Sequence, residues 1–373
     1  MRKTGRVTVA LAAVTVVAAC GTRPAAVSAP GPAPAAVPLS TSLVTGQGTW
    51  AVAVMGGSAA GDGFWQLFVR PAGASRWSLV TPPGVADNGG LVAAGGGSAL
   101  VVGVRPSQNL VFSPLATSTD TGRTWTPGLL GDGLADTPGA IASSSSGHLL
   151  AVLRDGTIET TPTQGAAAAG QWTRLTTFRV LATSAAGRAC GLEGVTATSF
   201  GPDQSPIAAG GCVRPGVAGV FADAGGTWRP AGPVLPGWAG RSRVRVLGLA
   251  ADAGGNVALL AAGGRVLAAW RAGTRWTVSA PVAGSVRAFG FGGGGSAWLL
   301  LGGGRAESIG GAGRSWQALP SVPAGTQVLA PEDGGGYEAL AVGGARLTVW
   351  RLEQGSWVRE QQVTVPIQYG SSG

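Results

Sequence analysis

Arginine is the residue of this chain best placed to do chemistry. Of its 26 basic residues 25 are Arg and one is Lys, against 17 acidic residues, for a formal net charge of +9. Arg105, Arg154, Arg214, Arg265, Arg305 and Arg346 each follow a short apolar run and sit in a polar turn. Arg179, Arg188, Arg241, Arg243, Arg245 and Arg287 lie in longer connections. A guanidinium offers a planar fork of donors matched to carboxylates and phosphates, so arginines gathered on one face would hold an anion. Scattered over polar turns they would simply be solvated. Trp238 stands beside Arg241 and either stacks on a sugar ring or covers its own loop. One histidine (His148) and three cysteines exclude a multi-ligand zinc site and a histidine-based triad. No metal and no cofactor is expected.

The elements that must position these residues recur. A tryptophan preceded by a glycine-containing turn appears at Trp77, Trp125, Trp172, Trp228, Trp276, Trp316 and Trp357, at intervals of 40 to 56 residues. Three short apolar runs precede each one. Before Trp276 they are Val246–Ala250, Asn256–Ala262 and Arg265–Trp270; before Trp316, Val286–Phe291, Ser296–Leu301 and Arg305–Ile309; before Trp357, Gln327–Ala330, Tyr337–Val342 and Arg346–Trp350. The tryptophan opens a fourth run. Four short strands per period, joined by tight turns, predict an all-β, seven-bladed β-propeller with four antiparallel strands per blade. Glycine, 66 residues in all, interrupts every run and excludes stacked helices. Ser40–Thr45 is expected as the innermost strand of the first blade, with Pro366–Gly373 adding to it or competing with it.

That topology sorts the arginines. Turns between second and third strands share one face with the connections between blades, so all twelve are expected there. The acids assigned to the same face are Asp62, Asp87, Asp132, Asp136, Asp155 and Glu193, of which only Glu193 belongs to blades four to seven. The longest interval, Trp172 to Trp228, places an inserted loop at Thr176–Glu193 ahead of a strand near Val195. Cys190 ends that insert and Cys212 ends the second strand, so a disulfide is expected across the arginine face.

One turn carries a fuller pattern. Ser118-Thr119-Asp120-Thr121-Gly122-Arg123-Thr124-Trp125 resembles the Asp-box, S-x-D-x-G-x-[TS]-W, of sialidase-like (BNR) propellers. Asp223, Gly225 and Trp228 keep part of it, and the resemblance is to Asp-box propeller lipoproteins of actinobacterial type, within the WD40/YVTN/BNR-like repeat superfamily. It implies a structural role for these residues, with Asp120 accepting backbone N–H groups, Gly122 left-handed and Trp125 between blades, on the side away from the family's ligand site. It also raises an exo-α-sialidase-like glycoside hydrolase as an alternative function. The family's Arg-Ile-Pro motif is absent, and Tyr337 and Tyr369 are the only tyrosines. Arg245 and Arg287 with Tyr369 would be the remnants of such a site.

The N-terminus reads as an address. Arg2, Lys3 and Arg6 precede an apolar run, Val7–Ala19, too short to span a bilayer and suited to a signal peptide. Val17-Ala18-Ala19-Cys20-Gly21 resembles a bacterial lipobox, which implies cleavage after residue 19 and a lipid on Cys20. Residues 20–40, rich in Ala, Pro, Ser, Gly and Val, form a tether ahead of a propeller at 41–373. The expectation is a monomeric lipoprotein on the outer face of the cell membrane, without access to nucleic acid. It is a non-catalytic module binding an anionic envelope glycan, a lipid head group or an acidic exported protein. The resemblance extends to propeller assembly factors, so a structural or complex-assembly role without a small ligand is the other alternative.

Overall fold

Short Ala/Val/Leu runs broken by glycine form strands here because both of their faces are covered. The run Ala297–Leu301 is buried at every position, and Gly255–Ala262 at all but one. In the computed structural model of the chain, the described residues are 39–366 without 57–62, 83–90, 97–98, 105–114, 128–137, 154, 167–170, 239, 253–254, 312 and 333–334. The signal segment, Cys20 and nearly all of the tether therefore lie outside them, as do residues 367–373. Among the described residues no helix is long and apolar enough to cross a membrane.

The strands form successive four-stranded antiparallel meanders over 39–79, 91–127, 138–176, 192–230, 244–278, 286–319 and 326–364, each ordered first to fourth in the chain. A short extra strand, Val282–Ala283, pairs on the fifth. The first strands pack side by side and face an axial cavity of about 270 Å³. Gly248 is needed for that approach, since a Cβ there would lie 2.5 Å from the Phe289 ring of the next sheet.

One junction is irregular. The inner strand of the first sheet, Leu39–Thr45, pairs in parallel with that of the sixth, Val286–Phe291, through Leu39↔Ala288, Ser40↔Phe289 and Ser42↔Gly290. Trp298 donates its indole N–H to Ser42 Oγ at 3.1 Å. Gly290 has no room for a side chain, because Ser42 Oγ and the Trp298 ring would both be 2.6 Å from its Cβ. This pairing passes in front of the seventh sheet, and the residues lining the axial cavity come from the first six. The first strand starts at Leu39, two residues before the boundary that composition set for the tether.

Closure uses side chains. The first sheet is wholly N-terminal and the seventh wholly C-terminal; the expected extra strand at Pro366–Gly373 falls outside the described residues apart from Pro366. Gln327 brackets Val54, accepting from its N–H and donating to its C=O, both at 2.8 Å. Gln361 does the same for Trp77, again at 2.8 Å.

The repeated tryptophans mark the junctions between sheets. Trp125 donates to Val80 O (2.9 Å), Trp276 to Ala231 O (2.7 Å), Trp316 to Ala280 O (3.1 Å) and Trp357 to Pro320 O (3.2 Å), each acceptor just beyond the fourth strand of the preceding sheet. Trp228 is buried among residues of the third and fourth sheets. Trp172 differs and caps its own loop at Ala166 O.

The Ser118–Trp125 turn satisfies its own polar groups. Thr124 donates its N–H to Asp120 Oδ1 (2.9 Å) and its hydroxyl to Oδ2 (2.6 Å), while Ser118 Oγ accepts from Gly122 N (2.9 Å). The Thr124 bonds, side chain first, hold the Asp120 carboxyl down at about 2. Gly122 is left-handed at φ 78°, and a Cβ there would strike Val80 of the preceding sheet at 2.7 Å. At Asp223 the carboxylate accepts from Gly226 N at 2.9 Å, with Gly225 also left-handed.

Candidate binding face

A continuous ridge of hydrogen-bonded turns crosses one face of the molecule. Gly216 N bonds Ser242 O, Gly284 N bonds Gly264 O, Gly302 N bonds Ser285 O, Val322 N bonds Gly304 O and Val342 N bonds Gly325 O. Each bond links a second-to-third turn to a connection between sheets, which places the two sets of loops on the same side.

The insert between the third and fourth sheets is helical, where the sequence predicted a loop. Two single-turn helices, α1 (Phe178–Thr183) and α2 (Ala185–Cys190), are capped by Thr177, which accepts from Val180 N, and Ser184, which accepts from Gly187 N. Thr and Ser at those positions are ordinary N-cap signals. They were readable in the chain and were masked by the absence of any long apolar period. Gly187 lets the helices touch, as a Cβ would clash with Leu181 O. The Cys190–Cys212 disulfide joins the end of α2 to the end of the fourth sheet's second strand, with Cα atoms 5.3 Å apart. Val213 N and Arg214 N then donate to Gly191 O and Cys190 O. Closing this loop stabilises the insert by about 3 kcal/mol.

The ridge carries the arginines. Arg214, Arg241, Arg245, Arg265, Arg287 and Arg346 are exposed, and among the described residues none has a carboxylate oxygen within 4 Å. Arg243 pairs with Glu193 at 2.9 Å and Arg305 with Glu307 at 3.1 Å. Glu307 is an acid that the sorting of turns missed. It lies two residues after Arg305 on a strand, and that spacing puts both on one side of the sheet. Arg179 and Arg188 are exposed on the insert, and Arg188 donates to Thr183 O. Arg105, Arg154, Asp62, Asp87, Asp132, Asp136 and Tyr369 lie outside the described residues. Asp155 is occupied with its own turn, accepting from Thr157, and those bonds lower its pKa. Trp238 packs against the apolar cluster of the fourth and fifth sheets, close over Gly263, which makes it a cover for its loop.

The axial cavity is uncharged and its hydroxyls are spoken for. Thr196 donates to Val246 O at 2.8 Å, Thr198 to Ile207 O at 2.8 Å and Ser143 to Gly95 O. Its walls are otherwise small or apolar, with Phe289 and Phe291 at one side. The described residues contain no cluster of three His, Cys, Asp or Glu able to hold a metal ion. His148 is exposed on the opposite rim, near Ser146. Burial raises the pKa of the Tyr337 phenol.

A second group of charges lies at the junction of first and seventh sheets, away from the ridge. Arg70 reaches Glu332 and Glu338 at 3.2 Å each, Arg351 reaches Glu332 at 3.0 Å and Glu360 at 2.8 Å, and Trp77 donates to Glu338 Oε2 at 3.0 Å. The Glu338 side chain is 0% exposed. Its burial, only partly offset by Arg70, pushes the carboxyl up to about 7. Arg70 and Glu332 are 262 residues apart, so sequence held no sign of this group beyond the cross-strand pair Glu338↔Arg351.

Meanders set round an axial cavity, with tryptophans between them, have counterparts among solved structures. A 6-phosphogluconolactonase-like protein from Bacteroides uniformis superposes with a TM-score of 0.52 at 13% identity, covering 84% of this chain and 96% of its own. The fold is a β-propeller. A 6-phosphogluconolactonase-like protein from Bacteroides fragilis gives 0.52 at 12% identity over 87% and 97% of the two chains. YCF48 from Cyanidioschyzon merolae gives 0.49 at 15% identity over 79% and 88%. No protein-family model matches this propeller, and no curated protein matches it in sequence.

Proposed function

We propose that the chain is a seven-bladed, lipid-anchored extracytoplasmic propeller that binds an anionic partner through its arginine ridge and performs no catalysis. The seven meanders, each with its own tryptophan-bearing hairpin, support the blade count. The lipobox-like Val17–Gly21 and the tether behind it support the anchor. The observation that carries the function is the set of six exposed arginines on one face without carboxylate partners. Arg76, Arg229, Arg275, Arg314 and Arg359 are also exposed and unpaired away from the ridge, but Asp203, Asp223 and Glu353 share that side. Over the fourth to seventh sheets the described acids of the ridge, Glu193 and Glu307, are each taken up by an arginine, so the ridge keeps the larger excess of positive charge for a ligand. Trp238 covers its own loop, so no stacking platform for sugars accompanies the arginines. The bonded hydroxyls of the cavity and the half-buried Tyr337, packed against the sixth and seventh sheets, argue against the glycosidase alternative.

The test is binding of two soluble polyanions, heparin and polyglutamate, to the protein and to a variant with Arg214, Arg241, Arg265 and Arg287 changed to Gln. The reading predicts salt-dependent binding of at least one probe, weakened tenfold or more in the variant. Equal binding by both proteins would overturn it.

A further inference from the structure

The direction in which the chain enters the propeller bears on what the arginine ridge meets. Leu39, the first residue of the first strand, is in register with Ala288, the neighbour of Arg287. The two strands are parallel, so Leu39 lies at the end of the sixth sheet's inner strand from which the ridge rises. The other end of the first strand turns back at Thr45↔Gly48, on the opposite side. Whatever precedes Leu39 therefore leaves from the arginine face.

Eighteen residues lie between Leu39 and the start of the tether at Cys20. A segment of that length reaches at most about 65 Å. A lipid on Cys20 would hold the ridge close to the membrane at high effective concentration.

The same face also bears exposed aliphatic side chains. Val180 on α1 is 58% exposed, Val213 beside the disulfide 45% and Val234 67%. Val213 and Val234 are tied into one neighbourhood by the bonds of Val213 N to Gly191 O and Leu235 N to Gly216 O. Arg188, Arg214 and Arg241 surround them in sequence and are exposed. Apolar side chains among arginines fit the boundary between head groups and acyl chains.

We propose that the ridge docks onto an anionic lipid surface, the membrane that carries the anchor, so that the propeller sits with its arginine face down and its Ser118–Trp125 turn outward. This deepens the anion-binding reading given above and rests on it. Two measurements test it.

In the first, the chain from residue 20 with Cys20→Ser, which carries no lipid, is mixed with vesicles of phosphatidylglycerol and phosphatidylcholine or of phosphatidylcholine alone. Binding to the anionic vesicles is expected to be at least about tenfold tighter, and the four arginine-to-glutamine changes are expected to abolish that preference. Heparin and polyglutamate binding by the same proteins separates the two readings. Polyanion binding that depends on the arginines, without any vesicle preference, overturns the membrane docking and leaves the anion site standing. Loss of both overturns both.

In the second, the lipidated protein carries a fluorophore at Ser285→Cys on the ridge or at Ala224→Cys on the opposite turn. Lipid-borne quenchers are expected to dim the first at least twofold more than the second. Equal quenching, or the reverse, overturns the orientation.

Discussion

Arginine plays opposite parts on the two sides of this propeller. At the junction of first and last sheets, Arg70 and Arg351 are locked into carboxylates, and Arg70 keeps only 12% of its side chain exposed. On the ridge, Arg265 and five others stand in water with no described carboxylate within 4 Å, while Arg243 and Arg305 are paired at the surface. A count of basic residues treats both groups alike. Pairing and burial separate a side chain that holds the ring closed from one left over for a partner.

The sharpest way to break the comparison is one substitution made on both sides. Arg70→Met leaves the buried Glu338 beside an apolar side chain, with Arg351 only 4.0 Å away, and is expected to cost about 3 kcal/mol of stability, read as a lowered denaturation midpoint. Partial relief comes from protonation of Glu338. Arg265→Met is expected to stay within about 0.5 kcal/mol while weakening polyanion binding. If the two variants unfold together, the distinction fails.

Opening the disulfide comes next. Cys190→Ala with Cys212→Ala is expected to cost about 2–3 kcal/mol and to loosen the insert, read as faster hydrogen exchange in α1 and α2 with little change at the Arg70 junction.

The smallest effect concerns pH. The Glu338 carboxyl lies above its ordinary value in the folded chain, so the folded state holds a proton that the unfolded state releases first. Its contribution is complete below about 4.5, and is lost as pH rises through about 7. Glu338→Gln keeps an oxygen for the Trp77 indole and removes the titration. Relative to the parent, this variant is expected to gain melting temperature between pH 5 and 8. A constant difference across that range would remove Glu338 as the titrating group. Ridge variants are expected to show no such trend.

Much of the fold was legible because each repeat repeats its punctuation. Glycine before tryptophan marks a hairpin whose indole needs an acceptor, and apolar runs of four to eight residues between glycines leave only strands. The run Val286–Phe291 coincides with a strand, and Asn256–Ala262 misses one by a single residue. The disulfide was legible from cysteine number and from the export that the N-terminal segment led us to expect. Contacts across the closure were not, because the partners of Arg70 and of Ser42 lie some 250 residues away and nothing local distinguishes them. The α1–α2 insert was hidden for another reason: two helical turns are too short to show a period, and only their Thr and Ser caps betray them. On the ridge, sequence located the arginines, while which ones are neutralised depended on Glu307 lying beside Arg305.

The pairing of the first strand with the sixth sheet imposes an order of events on a chain that emerges N-terminus first. Leu39 and Ser40 cannot find Ala288 and Phe289 until nearly 250 more residues have been made. The earliest segment to arrive is thus among the last to settle, and the distant pairing is paid for in chain entropy before it returns any contact. Until then the inner edge of the first sheet stands open, a template for the wrong neighbour. Slow assembly and a need for protection while it lasts follow from where a few residues at the start of the propeller come to rest.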